Sequence, residues 1–121
     1  MTPLSASAVR LFVAALAPAV AFYRDALGLR LIAEGPAFAV FDAGSIELVV
    51  EIGEHDERGR PLVGRFTGLS LRTDDAQREY DRLTALGVRL IGPPEAQAWG
   101  GTLVTLEDPA GNELQLVQYP G

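Results

Sequence analysis

Two short stretches of the chain carry side chains able to do chemistry at matching places. Residues 42–49 read Asp-Ala-Gly-Ser-Ile-Glu-Leu-Val, and residues 108–117 read Asp-Pro-Ala-Gly-Asn-Glu-Leu-Gln-Leu-Val. Each opens with turn residues and runs into an alternating strand, and the match sets Glu47 beside Gln115. A carboxylate such as Glu47 can take a proton as a general base or hold a cation; an amide such as Gln115 donates and accepts, so it orients a ligand. The plain alternatives are an arginine-paired or solvated Glu47 and an inter-strand hydrogen bond for Gln115.

Other candidates follow from the same alternation. Arg10 and Phe12 share one side of a strand at 9–13, and Ser70 and Arg72 share one side of a strand at 66–72. Either arginine can grip an anion or pair with Glu47, Glu51 or Glu113. Trp99, the one tryptophan, sits in a loop beside Gly100 and Gly101. There it can stack over a ligand or plug the edge of the core. His55, the one histidine, lies in a charged connector and reads as solvated. The chain has no Ser-His-Asp set, no P-loop and no dinucleotide fingerprint.

The elements that must hold these residues come in two similar runs. The first is a strand at 9–13, a helix at 19–27 ended by Gly28, then strands at 29–33, 38–42 and 46–52. Pro18 suits the first helical turn, and Ala15 to Ala17 supply no polar cap. Residues 53–65 are polar and aperiodic and read as a linker. The second run is a strand at 66–72, a helix opened by a capping box of Asp74 with Gln77, and strands at 88–91, 102–107 and 113–117. Residues 92–101 form a longer loop without an equal in the first run. Leu-Gly-Leu-Arg-Leu at 27–31 against Leu-Gly-Val-Arg-Leu at 86–90 supports a duplication. The expected fold class is α+β: residues 1–121 as a single domain of two tandem βαβββ modules, 9–52 and 66–118. Their sheets are expected to curl into a U-shaped trough or partial barrel, lined by the face that bears Arg10, Phe12, Glu47, Glu51, Ser70, Arg72, Glu113 and Gln115.

Composition narrows the function. The chain has 121 residues, is 48% hydrophobic and carries a net charge of -6, with all ten basic residues arginine. Such a chain holds a real core and is a poor partner for nucleic acid phosphates. Without cysteine there is no disulfide, thiolate metal site or cysteine nucleophile. No apolar run reaches membrane-span length, and residues 1–8 lack a charged leader, so a cytoplasmic protein is expected.

Phe-Tyr-Arg-Asp-Ala-Leu-Gly at 22–28, the Trp99 loop and Asp-Pro-Ala-Gly-Asn at 108–112 resemble the vicinal oxygen chelate superfamily. That superfamily includes glyoxalase I, extradiol dioxygenases, and fosfomycin- and bleomycin-resistance proteins, and the resemblance runs from about residue 9 to 117. In its metal-using members, first and last strands hold a divalent ion. Carried over, those positions are Ala8, Glu47, Gly68 and Gln115, of which Ala8 and Gly68 offer no donor. One carboxylate and one amide fall short of the three or more ligands that zinc or harder cations take. The resemblance therefore implies a metal-independent small-molecule binder like the bleomycin-resistance branch, with no cofactor and a divalent ion not expected. The alternative is a glyoxalase-like lyase or isomerase, or a dioxygenase relative, with Glu47 as base and a metal site completed by water, Glu113 or a second subunit. The candidate ligand-binding set is Arg10, Phe12, Glu47, Ser70, Arg72, Trp99 and Gln115, and the resemblance also implies a homodimer.

Overall fold

A computed structural model describes residues 3–121 and divides the chain into two compact units, Met1–Val63 and Gly64–Gly121. In the first, β1 (Ala8–Val13) leads into α1 (Leu16–Ala21), then β2 (Arg30–Glu34), β3 (Phe38–Asp42) and β4 (Glu47–Ile52). The sheet order is β1-β4-β3-β2, with β1 parallel to β4 and the other pairs antiparallel. Alternation decides which face is covered. Leu11, Val13, Ala39, Phe41, Leu48 and Val50 are buried, while the residues between them are not. Along β4 the buried row ends at Val50, since Ile52 is 45% exposed.

The first helix departs from the sequence reading. It is α-helical only to Ala21, and Phe22–Ala26 widen into a π-helical turn. There the N–H of Leu27 bonds the carbonyl of Phe22 at 3.0 Å, five residues back. The wider turn accompanies burial of two successive rings. Phe22 meets Tyr23 edge-on at 4.9 Å between centroids, and Tyr23 lies 5.8 Å from Phe41. Pro18 is in the first turn, where no intrahelical donor is required, and Ala15 makes no side-chain cap.

The second unit holds β5 (Phe66–Arg72), α2 (Ala76–Ala85), β6 (Arg89–Leu90), β7 (Glu95–Ala96), β8 (Thr102–Glu107) and β9 (Glu113–Gln118). Its order is β5-β9-β8-β6, and β7 also pairs with β8. Three local expectations need correction. The cap of α2 is Asp75, not Asp74: its carboxylate accepts the N–H of Arg78 at 3.0 Å. Residues 92–101 are not all loop, because β7 pairs with β8 after the Gly92-Pro93-Pro94 break. Prolines cannot donate to a ladder, so the edge strand is split into two pieces there. Finally, β5 bulges between Phe66 and Ser70, with Gly68 at φ +76°, an angle that side-chain-bearing residues rarely adopt. The Thr67 hydroxyl donates to the Glu113 carbonyl at 2.8 Å and accepts the Leu69 N–H at 3.1 Å, clamping the bulge.

The turn between β8 and β9 buries a carboxylate and an amide side chain: Asp108 is 4% exposed and Asn112 is 1%. One Asp108 oxygen accepts the N–H groups of Ala110 and Asn112, both at 2.9 Å. The Asn112 side chain donates to the other at 3.1 Å and accepts the Gly64 N–H at 2.8 Å. The turn thus also holds the segment that enters β5. The connector is equally ordered: Asp56 accepts the N–H groups of Arg58 and Arg60, and His55 bridges to Pro61.

Candidate functional site

Each sheet has one face that its helix leaves open, and the candidate residues stand on those faces. In the first unit, register aligns Ala8 with Glu47, Glu47 with Asp42, and Asp42 with Arg30. Arg30 bonds Asp42 at 2.9 Å. The backbone N–H of Gly44, and then Arg30, hold the Asp42 carboxyl below the usual range. Glu47 is exposed and, among the described residues, forms no ion pair.

Higher on the same face, Phe12 aligns with Glu51 and Glu51 with Phe38. Arg10 takes Glu51 as its partner, with Nε at 2.7 Å from the carboxylate, and its guanidinium lies 5.4 Å from the Phe12 ring centre. Phe12 in turn lies against Gly53, where any side chain would collide with its ring. Of the two arginine readings, pairing holds for Arg10.

The second unit repeats the lower row. Phe66 aligns with Glu113, Glu113 with Glu107, and Glu107 with Arg89, which bonds Glu107 at 3.3 Å. By position in the ladder, therefore, Glu47 corresponds to Glu113. Gln115 corresponds to Val49, correcting the match drawn from the sequence. Gln115 faces Ser70 on one side and Thr105 on the other, and its amide donates to the Thr105 hydroxyl at 3.2 Å. The inter-strand bond accounts for one end of the amide. Gly68 lies in the bulge, and it is Ser70 that stands across from Gln115.

The upper row differs between the units. Arg72 aligns with Val117, and Val117 with Leu103, so no acid faces Arg72 from the neighbouring strand. Its guanidinium lies 4.6 Å from the Tyr119 ring centre, and Tyr119 lies 5.8 Å from Trp99. Trp99 and Tyr119 are 51% and 50% exposed, so the tryptophan does not plug the core. It occupies a hydrogen-bonded turn closed by the Gln97 N–H on the Gly101 carbonyl at 2.8 Å. Its ring covers Gly101, which is buried and where any side chain would collide with the indole. Sequence reasoning missed Tyr119, although the parity of Glu113, Gln115 and Val117 continues to it.

This arrangement does not fit a divalent ion. Ala8 and Gly68 supply no donor atom, and the described residues contain no group of three His, Asp or Glu side chains placed to share a metal. What the faces offer is a carboxylate in Glu47, an amide and hydroxyl in Gln115 and Ser70, and a cation with two exposed rings in Arg72, Tyr119 and Trp99. Groups of these types are suited to binding and orienting a ligand.

Known proteins share the fold. The family model for the Glyoxalase/Bleomycin resistance protein/Dioxygenase superfamily matches residues 6–116. A bleomycin resistance protein of Klebsiella pneumoniae is 31% identical over 105 residues, 81% of this chain and 79% of that protein. TnmS3, an antibiotic binding protein from Streptomyces sp. CB03234, superimposes with a TM-score of 0.80 at 27% identity, covering 100% of this chain and 99% of that one. A superfamily member from Sphaerobacter thermophilus DSM 20745 gives a TM-score of 0.82 at 28% identity, covering 95% and 97%. With its βαβββ repeat and its 108–112 turn, this chain belongs to the glyoxalase/bleomycin resistance protein/dioxygenase superfamily.

Proposed function

We propose that this protein binds a small molecule, of the kind an antibiotic-binding relative holds, and releases it unchanged without a resident metal ion. The observation that carries the reading is the exposed Trp99–Tyr119 pair beside Arg72. Large rings left half in water on an ordered turn are a ready surface for a flat apolar ligand. The lack of donors at Ala8 and Gly68 supports the metal-free part. It argues against polarisation of substrate oxygens by an ion at those positions. Glu47 then contacts ligand and does not act as a base. We place the protein in the cytoplasm as a homodimer.

The test is thermal denaturation with bleomycin and other antibiotics, followed by mass spectrometry of the recovered ligand. Stabilisation rises with ligand concentration if the folded state alone binds. The ligand mass is expected to be unchanged, and Glu47→Gln is expected to retain binding. Turnover that Glu47→Gln abolishes would establish the enzymatic alternative instead. Light scattering on the same sample reads the dimer directly.

A further inference from the structure

Four arginines lie on strands: Arg10, Arg30, Arg72 and Arg89. Three of them bond a carboxylate of their own sheet, namely Glu51, Asp42 and Glu107. Arg72 is the exception, and among the described residues it enters no ion pair. The reason is in the register. The place that Glu51 takes in the first unit is taken by Val117 in the second, so the carboxylate that neutralises Arg10 has no counterpart near Arg72.

The acids of its own sheet are too far to compensate. Glu113 stands four residues along β9 from Val117, a distance of about 13 Å at strand spacing. Glu95 lies on β7, three strand spacings away, again roughly 14 Å. Both exceed the Debye length of about 8 Å at physiological salt, so their effect on Arg72 is largely screened. Asp74 and Asp75 follow close in sequence, but neither forms an ion pair with Arg72, and the Asp75 carboxylate is engaged at the N-terminus of α2. Meanwhile Tyr119 covers one face of the guanidinium and Val117, 5% exposed, forms the floor. A guanidinium laid on a ring keeps its N–H donors in plane and turned outward, in the fork geometry that matches a carboxylate.

We propose that Arg72, Tyr119 and Trp99 form a subsite for a flat aromatic molecule carrying a carboxylate-type anion, with the anion on Arg72 and the ring on Trp99. This rests on the small-molecule reading and sharpens it. It also runs against the net charge of -6, which taken alone favours a cation. The lack of a carboxylate paired with Arg72 decides the ligand class at this end of the sheet.

Three probes of one shape test the subsite by calorimetry: naphthalene-2-carboxylate, naphthalene-2-carboxamide and 2-naphthylmethylammonium. The carboxylate is expected to bind roughly tenfold or more tighter than the carboxamide, as a charge-assisted pair on a fork requires. Arg72→Gln is expected to erase that preference, so that carboxylate and carboxamide bind the variant with equal affinity. Trp99→Ala is expected to weaken all three probes alike. Arg72→Lys keeps the charge but not the fork, and is expected to keep only part of the preference; it decides the question if the glutamine variant melts early. Equal affinity for carboxylate and carboxamide, tighter binding of the ammonium probe, or full preference in either Arg72 variant overturns the proposal. If bleomycin stabilises the protein while none of the three probes binds, the anion subsite is wrong and the binding function stands. If neither bleomycin nor other antibiotics stabilise it, the function fails as well.

Discussion

Asn112 donates its side-chain N–H to Asp108 at 3.1 Å, and its own backbone N–H bonds the other oxygen of the same carboxylate at 2.9 Å. Both residues are all but fully buried, and Asn112 also accepts from the backbone of Gly64. Polar groups shut away from water are costly when a partner is removed, because the group left behind keeps none of its hydration.

Asn112→Ala should therefore lower stability by about 2–4 kcal/mol, since it leaves an Asp108 oxygen and the Gly64 N–H short of partners. That is a large part of the roughly 5–15 kcal/mol that holds a domain together. Asn112→Asp should fare no better, because it sets a second carboxylate against Asp108. Urea unfolding followed by circular dichroism gives the midpoints.

Arg10→Ala should do far less. The Arg10–Glu51 pair has an arginine side chain that is 63% exposed, and pairs of that kind contribute about 0–1 kcal/mol. A double-mutant cycle with Glu51→Gln measures it, and a coupling as large as the Asn112 effect would refute this ranking.

Gly101→Ala should unseat Trp99. A Cβ there runs into the indole and approaches the Gln118 carbonyl at 2.8 Å, so either the ring or the strand must move. A stability loss of about 1–3 kcal/mol follows for such overpacking. Because Trp99 is the sole tryptophan, its emission reports the ring alone, and a shift toward the spectrum of free indole in water is expected.

Acid should loosen the connector. Hydrogen bonds from the Arg60 backbone, and then from its guanidinium and the Arg58 backbone, hold the Asp56 carboxyl below its ordinary value. A carboxyl depressed in the folded state contributes stability above its unfolded pKa, about 3.9, and loses it as pH falls through the folded value. Asp42 acts in the same sense, through Gly44 and Arg30. Melting temperature measured from pH 6 down to pH 3 should fall less steeply in Asp56→Asn than in the parent.

Much of the architecture was legible because alternation is a strong signal where one face is covered. Leu48, Leu114 and Leu116 fell where period two placed them. Features that depend on backbone detail were not legible. No residue type announces the π-helical turn at Phe22–Ala26, and Asp74 and Asp75 are equal candidates until one accepts the Arg78 N–H. The bulge at Gly68 moved the partner of Gln115 to Ser70. Counting turn residues also set Glu47 against Gln115, whereas the ladder sets it against Glu113, because hydrogen-bond register and motif spacing differ by two residues there. Tyr119 was within reach, one step further along a parity already in use.

The row that ends in Arg30 and Asp42 is copied in Arg89 and Glu107, while the row above it diverged from Phe12 with Glu51 to Arg72 with Val117. After the duplication, then, the copies were not interchangeable. One pairs its strand cation, Arg10, with Glu51 of the same sheet, and the other carries Arg72 in no ion pair among the described residues, the cation that our proposal assigns to an anionic ligand. Selection for a new cargo would act first on residues 72, 99, 117 and 119, with the Arg89–Glu107 edge holding the strands in register meanwhile.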